Sequence, residues 1–142
     1  MSGVAVVRYL LANNSPVTNI VPAAAIMAGD IPLATVLPAI SVKQISGVPL
    51  NFTRINGAHR LHTDRVQVSV LVKGPRGTPA GLGYPGMRAL LALVLAACPS
   101  QRGTVNGITV DSIVPDLEGP DLYDDTDIVH QGSRDFLVRW IA

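Results

Sequence analysis

The chain has 142 residues, of which 48% are apolar, 15% are charged and only 4% are aromatic. This length fits a single domain over residues 1–142 with a core of its own. The longest apolar stretch, residues 89–98, is far shorter than the ~20 residues of a membrane-spanning helix. The single cysteine, Cys98, excludes an internal disulfide and a cysteine-based zinc site. We expect a soluble protein made in a reducing cytoplasm, with a low-charge surface partly covered by partner subunits.

Charge is distributed unevenly along the chain although the net charge is only +1. Residues 1–102 carry nine basic and two acidic side chains, whereas residues 103–142 carry two basic and eight acidic ones. Two interpretations are open. The two sets lie close together in the fold, or the molecule has a positive and a negative side suited to head-to-tail contact between identical copies.

The N-terminal part of the sequence predicts two helices. Residues 3–13 carry apolar side chains at helical spacing, and Ser15 followed by Pro16 is typical of the start of a second, short helix. Residues 22–37 contain several prolines and predict an irregular segment with a short strand near Ile26. Residues 38–46 predict a further strand.

A long polar connection is predicted next, at residues 47–64. It carries four side chains that are or can become cationic: Arg54, His59, Arg60 and His62. Residues 65–73 then alternate apolar and polar side chains, which predicts a strand with four valines on one face. Residues 74–86 are rich in glycine and proline and predict a loop, and residues 84–98 predict an apolar helix.

The last third of the sequence predicts more strands. Asn106 followed by Gly107 is a favoured pair for a type I′ turn, so residues 103–118 predict a hairpin or a bent strand. An acidic loop at 120–127 and a closing strand at 131–141 follow. This order predicts an α+β fold: an antiparallel or mixed sheet of about four to five strands, with two main helices packed on one face.

The helix predicted at 84–98 is apolar on nearly all sides. One stripe, which ends at Cys98, suits packing on the sheet, while Leu90 and Leu93 remain for a second contact. Either a neighbouring subunit or the first helix of the same chain can cover them. Cys98 itself is expected to be a small buried hydrophobe and not a nucleophile.

Residues 81–86 read GLGYPG, the spacing of a dinucleotide-binding loop. That loop belongs at the first turn of a βαβ unit, whereas here at least two strands precede it. Pro85 removes a backbone N–H that a phosphate cradle uses, and no acidic residue follows between Arg88 and Val110. We interpret the segment as a connection from a strand to a helix, and keep a small nucleotide-binding enzyme as a distant alternative.

No other pattern predicts a catalytic or metal site. His59, His62 and Asp64 contain metal-ligand side chains, but Arg60 lies among them and would repel a cation. The aspartates at 121–127 lack the glycine and the closing glutamate of a calcium loop. No serine lies in G-x-S-x-G. We therefore predict a protein that is not an enzyme and has no metal or cofactor.

The C-terminal third resembles a known family. GTVNGITV at 103–110, DLY at 121–123 and DFLVRW at 135–140 are similar, in this order, to the last strands of tail-terminator (tail-completion) proteins of long-tailed bacteriophages and related prophages. The two opening helices, PAISVKQISG at 38–47 and RVQVSV at 65–70 also match in order. The similarity covers nearly the whole chain, and the segment 48–62 is its least family-like part.

The resemblance implies an α+β protomer that assembles into a ring, commonly a hexamer, at the head-proximal end of a phage tail. Such a ring ends the polymerisation of the tail tube and joins it to the head connector. The implied partners are further copies of the chain, the major tail-tube protein and the head connector or stopper protein, with no membrane. The implied location is the virion, after assembly in the host cytoplasm.

Interface residues follow from this hypothesis. Arg54, Arg60 and His62 are expected to contact a neighbour, and Arg54 and Arg60 are also possible contacts for DNA that passes through the ring, without sequence preference. Leu90 and Leu93 are expected at an interface as well. The acidic counterpart is expected to consist of three residues: Asp121, Asp124 and Asp125. The nearest alternative is another neck component, such as a head-completion or adaptor protein.

Overall fold

The computed structural model describes residues 2–32, 35–50, 61–74, 83–99, 103–126 and 128–141. Within these ranges the chain forms three α-helices: α1 (Ser2–Ala12), α2 (Ser15–Thr18) and α3 (Gly83–Ala97). A 3₁₀ turn lies at Ala23–Ala25. The same ranges contain seven strands: β1 (Ile26–Ala28), β2 (Ala39–Leu50), β3 (Leu61–Lys73), β4 (Gly103–Val105), β5 (Ile108–Glu118), β6 (Leu122–Asp124) and β7 (Val129–Ile141).

The strands form one mixed sheet in the order β1–β2–β3–β7–β5–β4. β1 runs parallel to β2, and every other pairing is antiparallel. β3 and β7 lie at the centre and pair over their full length, from Leu61 opposite Ile141 to Lys73 opposite Val129. β6 pairs with the start of β7, on the same edge that β5 covers further along.

The helices lie on the face of the sheet that carries the apolar side chains. Val66, Val68, Val70 and Val72 of β3 are all buried there, as the alternation of residues 65–73 predicts. Phe136 and Val138 of β7 are buried on the same face, since they pair with Val66 and Asp64. α1 and α3 both pack against β3 and β7. The hydrophobic core therefore lies between the sheet and the helices.

The second apolar side of α3 is covered within the protomer. Leu90 is only 1% exposed, and it belongs to the same core cluster as Leu11 of α1 and Val17 of α2. α3 contacts both of these helices. Of the two interpretations of this helix, coverage within the same chain holds for Leu90, because its side chain is buried in a core to which α1 and α2 also contribute.

The sequence underestimated the number of strands. The α+β class and the mixed sheet are confirmed, but the described residues form seven strands and not four to five. β6 lies inside the segment predicted as an acidic loop, and it has only three residues, all exposed. Such a short strand forms because β7 offers an unpaired edge, a tertiary cause that periodicity does not reveal.

The predicted connection at 47–64 was also wrong at both ends. β2 continues to Leu50 and β3 begins at Leu61, so these residues pair as strands. Residues 51–60 lie outside the described residues. The turn prediction, in contrast, is confirmed: Asn106 and Gly107 have φ of 50° and 77° between β4 and β5, the positive values that a type I′ turn requires.

Asp64 links three parts of this structure. Its side chain is buried, and its Oδ2 accepts a hydrogen bond from the backbone N of Gly3 (3.1 Å) and another from Nε1 of Trp140 (2.8 Å). A Cβ at Gly3 would lie 2.8 Å from the Asp64 side chain, so only glycine lets α1 approach this closely. The carboxylate therefore joins the start of α1 to the centre of the sheet.

We expect Asp64→Ala to lower the free energy of unfolding by about 2–5 kcal/mol, because one buried and one partly buried N–H donor lose their acceptor. Asp64→Asn, which keeps one acceptor oxygen, is the matched control and should lose less. Urea unfolding followed by circular dichroism measures both. Equal losses in the two variants would show that packing, and not acceptance of the two hydrogen bonds, gives Asp64 its role.

Candidate functional site

Two of the residues predicted to form a site, His62 and Asp124, lie at the two ends of the central β3–β7 pair. His62 lies opposite Trp140 at one end, which we call the arm end, and Lys73 lies opposite Val129 at the other. Asp124 also pairs with Val129, so the second end is the acidic end. At about 3.3 Å per residue, the two ends are roughly 35 Å apart along the strands.

At the arm end, residues 43–50 of β2 form an edge of the sheet, which we call the arm, and they pair with residues 61–67 of β3, which in turn pair with β7. The six consecutive residues 43–48 are all exposed, so neither face of this part of β2 is covered. β1 pairs only with residues 40–42, and no described strand pairs with the outer edge of β2 beyond them. Ile45 and Val48 are 49% and 56% exposed. The arm is therefore an uncovered, partly apolar surface.

Three residues of the polar connection were predicted to contact a neighbour, namely Arg54, Arg60 and His62. The structure describes one of them, His62. His62 stacks on Trp140, with ring centroids 4.3 Å apart and ring planes within 10° of each other. Arg54 and Arg60 lie outside the described residues, so their predicted contacts with a neighbour or with DNA stay predictions. The stack fixes His62 on the sheet at the base of the arm.

The alternative of a metal site at this end finds no support in the geometry. Asp64 directs its Oδ2 at two N–H donors, so this oxygen is already engaged within the protomer. Among the described residues, no three histidine, cysteine, aspartate or glutamate side chains come together as a metal site would require.

At the acidic end, side chains of α3 bind carboxylates from the last residue of β5 and from the connection between β5 and β6. The Tyr84 hydroxyl donates to Oδ2 of Asp121 (2.8 Å), and Nη1 of Arg88 donates to Oε1 of Glu118 (2.6 Å). Arg88 also lies 3.5 Å from Asp121. Asp121 is thus engaged within its own protomer, and only part of its charge is open to a partner.

This arrangement also bears on the GLGYPG segment. Residues 81 and 82 lie outside the described residues, and Gly83 begins α3 with a positive φ of 66°. The side chains of the first turns of α3 reach Asp121 and Glu118, so a pyrophosphate near this helix N-terminus would meet two carboxylates. Like charges at this distance repel each other, which disfavours the nucleotide-binding alternative.

The uneven charge of the sequence is partly neutralised in the fold. Arg65 lies 2.8 Å from Asp116 and 3.7 Å from Asp135, and Arg88 binds the two acids described above. For these four carboxylates, the interpretation that the two charge sets lie close together is correct. Asp124 and Asp125 are exposed beyond them, and Asp124 accepts a hydrogen bond from the backbone N of Thr126.

The sequence did not reveal a groove of about 650 Å³ at the acidic end. Its floor includes Leu71 and Val129, which lie on the face of the sheet opposite the helices. One wall is the connection between β1 and β2, with Val36, and the other is β6, with Leu122 and Tyr123. These three side chains are 84%, 51% and 39% exposed. The groove forms only when three distant segments meet, so no local pattern marks it.

The two leucines predicted at an interface differ from each other in exposure. Leu90 is buried in the core, so it presents no surface to a neighbour in this conformation. Leu93 is half-buried and packs against the core.

No helix within the described residues is long and apolar enough to cross a membrane.

The comparisons with known proteins find similarity in structure alone. No protein-family model matches the sequence, and no curated protein matches it significantly. Among solved structures, the fold matches a chain from the "Virion of native gene transfer agent (GTA) particle" with a TM-score of 0.65 and 14% sequence identity. The match covers 98% of this chain and 94% of that chain. The two chains therefore share their fold over nearly their entire length.

Cys98 is buried, as the sequence predicts, and burial raises the pKa of its thiol to about 12. We expect iodoacetamide at pH 8 to alkylate the native protein roughly a hundredfold or more slowly than the denatured protein, because the thiolate is the reactive form. Mass spectrometry of timed samples measures this ratio. Equal rates would mean that Cys98 is accessible and ionised in the native fold.

The hydrogen bond to Asp121, together with partial desolvation, raises the pKa of Tyr84 above its usual 10.0. The stability that this bond contributes is present below the unfolded pKa and is lost as the pH rises through the folded one. We expect Asp121→Asn to lower the pKa of Tyr84, as measured by NMR titration of its ring Cζ. Asp124→Asn is the matched control, since Asp124 binds the backbone N of Thr126 instead, and it should leave this titration unchanged.

Proposed function

We propose that this chain is a structural protein of a phage-like virion and acts as a tail terminator. It forms a ring, commonly a hexamer in the family that it resembles, at the head-proximal end of the tail tube. The ring ends polymerisation of the tube and forms the joint to the head connector. The observation that carries the proposal is the fold shared, over 98% of the chain, with a chain from a gene transfer agent virion.

The order of the family-like segments supports the finer assignment. GTVNGITV lies on β4 and β5, DLY extends into β6, and DFLVRW lies on β7. These four strands build one half of the sheet, where β4 pairs with β5, and β5 and β6 both pair with β7. The resemblance therefore involves segments that are adjacent in space, which supports a shared arrangement and not a chance match of short motifs.

The distribution of surface features supports assembly from identical copies. The arm and the acidic end lie at opposite ends of the β3–β7 pair. A contact between two different surfaces of the same protein repeats from copy to copy, and it closes into a ring when the rotation per copy fits. Opposite charges on the two surfaces would favour this orientation over its reverse.

The proposed partners are the major tail-tube protein and the head connector or stopper protein, on the two sides of the ring. We propose that the protein works by assembly and not by catalysis, and that Arg54 and Arg60 face either a neighbouring copy or the passing DNA. Another neck component, such as an adaptor, is less favoured. Adaptors tend to be mostly helical, whereas the described residues of this chain form seven strands.

We expect the protein to form a closed multimer of defined mass, alone or when mixed with its tail-tube protein. Reversing the charge at the acidic end with the double substitution Asp124→Lys and Asp125→Lys should reduce the multimer, and added salt should weaken this effect because it screens exposed charges. Analytical ultracentrifugation at two salt concentrations measures both.

Asp121→Lys does not suit this test, since Asp121 also binds Tyr84 and Arg88. Its replacement would change contacts within the protomer as well as the charge of the surface. A chain that stays monomeric in the presence of its tube protein would exclude the terminator mechanism. A multimer that is insensitive to the double substitution would exclude a role for Asp124 and Asp125 in assembly.

A further inference from the structure

The sheet has an uncovered edge on each of its two sides. β1 pairs with β2 only at residues 40–42, so no described strand pairs with the outer edge of β2 from residue 43 onward. On the other side, β4 pairs with β5 only at residues 108–110, and no described strand pairs with the outer edge of β5 beyond them. Strand edges that leave N–H and C=O groups unpaired are sites where a strand of another chain can add.

The two uncovered edges lie at the same level of the sheet. Residues 43–48 of β2 lie, across β3, in the same rows as residues 135–139 of β7. β5 pairs with this same part of β7 through residues 112–118. The free edges at 43–48 and 112–118 are therefore level with each other, on opposite sides of the protomer.

Level edges favour a closed assembly of identical copies. If the β2 edge of one copy meets the β5 edge of the next, the contact does not climb along the strand direction, so the copies can return to the first one. β2 and β5 run in opposite directions. Copies in the same orientation would therefore join these edges as an antiparallel pair, like most pairs within the sheet, and the sheet would continue from copy to copy.

The apolar side chains on the two edges match in position. Ile45 is 49% exposed, and it lies within one residue of the row that contains Val114, which is 47% exposed. Leu117, further along β5, is 60% exposed. A level contact between the edges would bring these side chains together and remove apolar surface from water on both copies.

Charge acts in the same direction. Residues 43–50 carry one basic side chain, Lys43, and no acidic one, whereas residues 111–118 carry three acidic side chains and no basic one. Ion pairs within the protomer already engage Lys43, Asp116 and Glu118. The remaining charge favours the union of unlike edges over that of like edges, while the apolar side chains are the main element of the match.

We propose that the outer edge of β2, at residues 43–48, pairs with the outer edge of β5, at residues 112–118, of a second copy of this chain. The proposal rests on the proposed function, because it names the contact through which the copies associate. One copy cannot join its own edges, since β3 and β7 lie between them. Pro115 donates no backbone N–H, so the new ladder is incomplete there and the neighbouring side chains supply part of the contact.

Cysteines placed on the two edges test this contact directly. Ile45→Cys and Val114→Cys replace exposed side chains, and Cys98 is buried and does not compete. Under a mild oxidant such as diamide, an equimolar mixture of the two variants should form a disulfide-linked dimer that contains one of each. Neither variant alone should form one, because like positions lie a whole protomer apart. Non-reducing gel electrophoresis and mass spectrometry, with a tag on one variant, identify the products.

Further variants guard this test against a small error in alignment. A disulfide requires closely spaced Cα atoms, so Ser46→Cys, which is exposed and shares a row with Val114, repeats the test one residue along. Ile20→Cys is the matched control, since Ile20 is 41% exposed just after α2 and lies on neither edge. Mixed with Val114→Cys, it should give no linked dimer above background.

A second measurement does not depend on cross-linking. Ile45→Asp and Val114→Asp should each weaken association at least about tenfold, since each places a carboxylate in an apolar contact. Ile20→Asp should leave association unchanged. Analytical ultracentrifugation measures association, in the presence of the tail-tube protein if the chain alone is monomeric, and circular dichroism confirms the fold of each variant.

Each contrary outcome has a separate meaning. A wild-type multimer in which no cysteine pair links the two edges would overturn this contact and leave ring formation standing. Linked dimers of one variant alone would show that like edges meet, which overturns it as well. If Ile45→Asp blocks binding of the tail-tube protein and leaves the multimer intact, the β2 edge belongs to that partner instead. A wild-type chain that never multimerises, even with its tube protein, would overturn both this contact and the proposed function.

Discussion

The pairing of β3 with β7 is the constraint on which the rest of this structure depends. These strands pair over their full length, and the buried valines of β3 share one face with Phe136 and Val138. That shared face is what α1 and α3 cover. Because the side chains of a strand alternate, a slip of one residue in this register would turn the whole apolar set away from the helices. Asp64 reinforces the register through its hydrogen bond from Trp140 on the opposite strand.

The same pairing separates the two surfaces that differ most in character. It places the arm at one end and the groove with Asp124 at the other, so these two surfaces cannot meet within one copy. Meanwhile Arg65 and Arg88 pair with acidic residues in the same protomer. Because of these ion pairs, the negative charge at the acidic end is smaller than the count of acidic residues in 103–142 suggests.

Cys98 and the start of α3 are poorly suited to chemistry. Cys98 is buried with a raised pKa, and the side chains of the first turns of α3 bind carboxylates where a nucleotide site would need to accept phosphate. What the molecule presents instead are surfaces: an uncovered arm, an apolar groove, and a fold shared with a chain from a gene transfer agent virion.

By itself, the sequence determined the features that depend on local chemistry. The alternation of residues 65–73, the turn at Asn106 and Gly107 and the apolar helix before Cys98 all appear as predicted, since each follows from side-chain spacing or backbone preference. Only the tertiary structure decided that β6 is a strand, that Leu90 is covered by α1 and α2, that Asp121 binds Tyr84, and that Val36 and Leu122 share a groove. These features join segments far apart in the chain. Their free energy comes from packing and pairing across that distance, which no local pattern encodes.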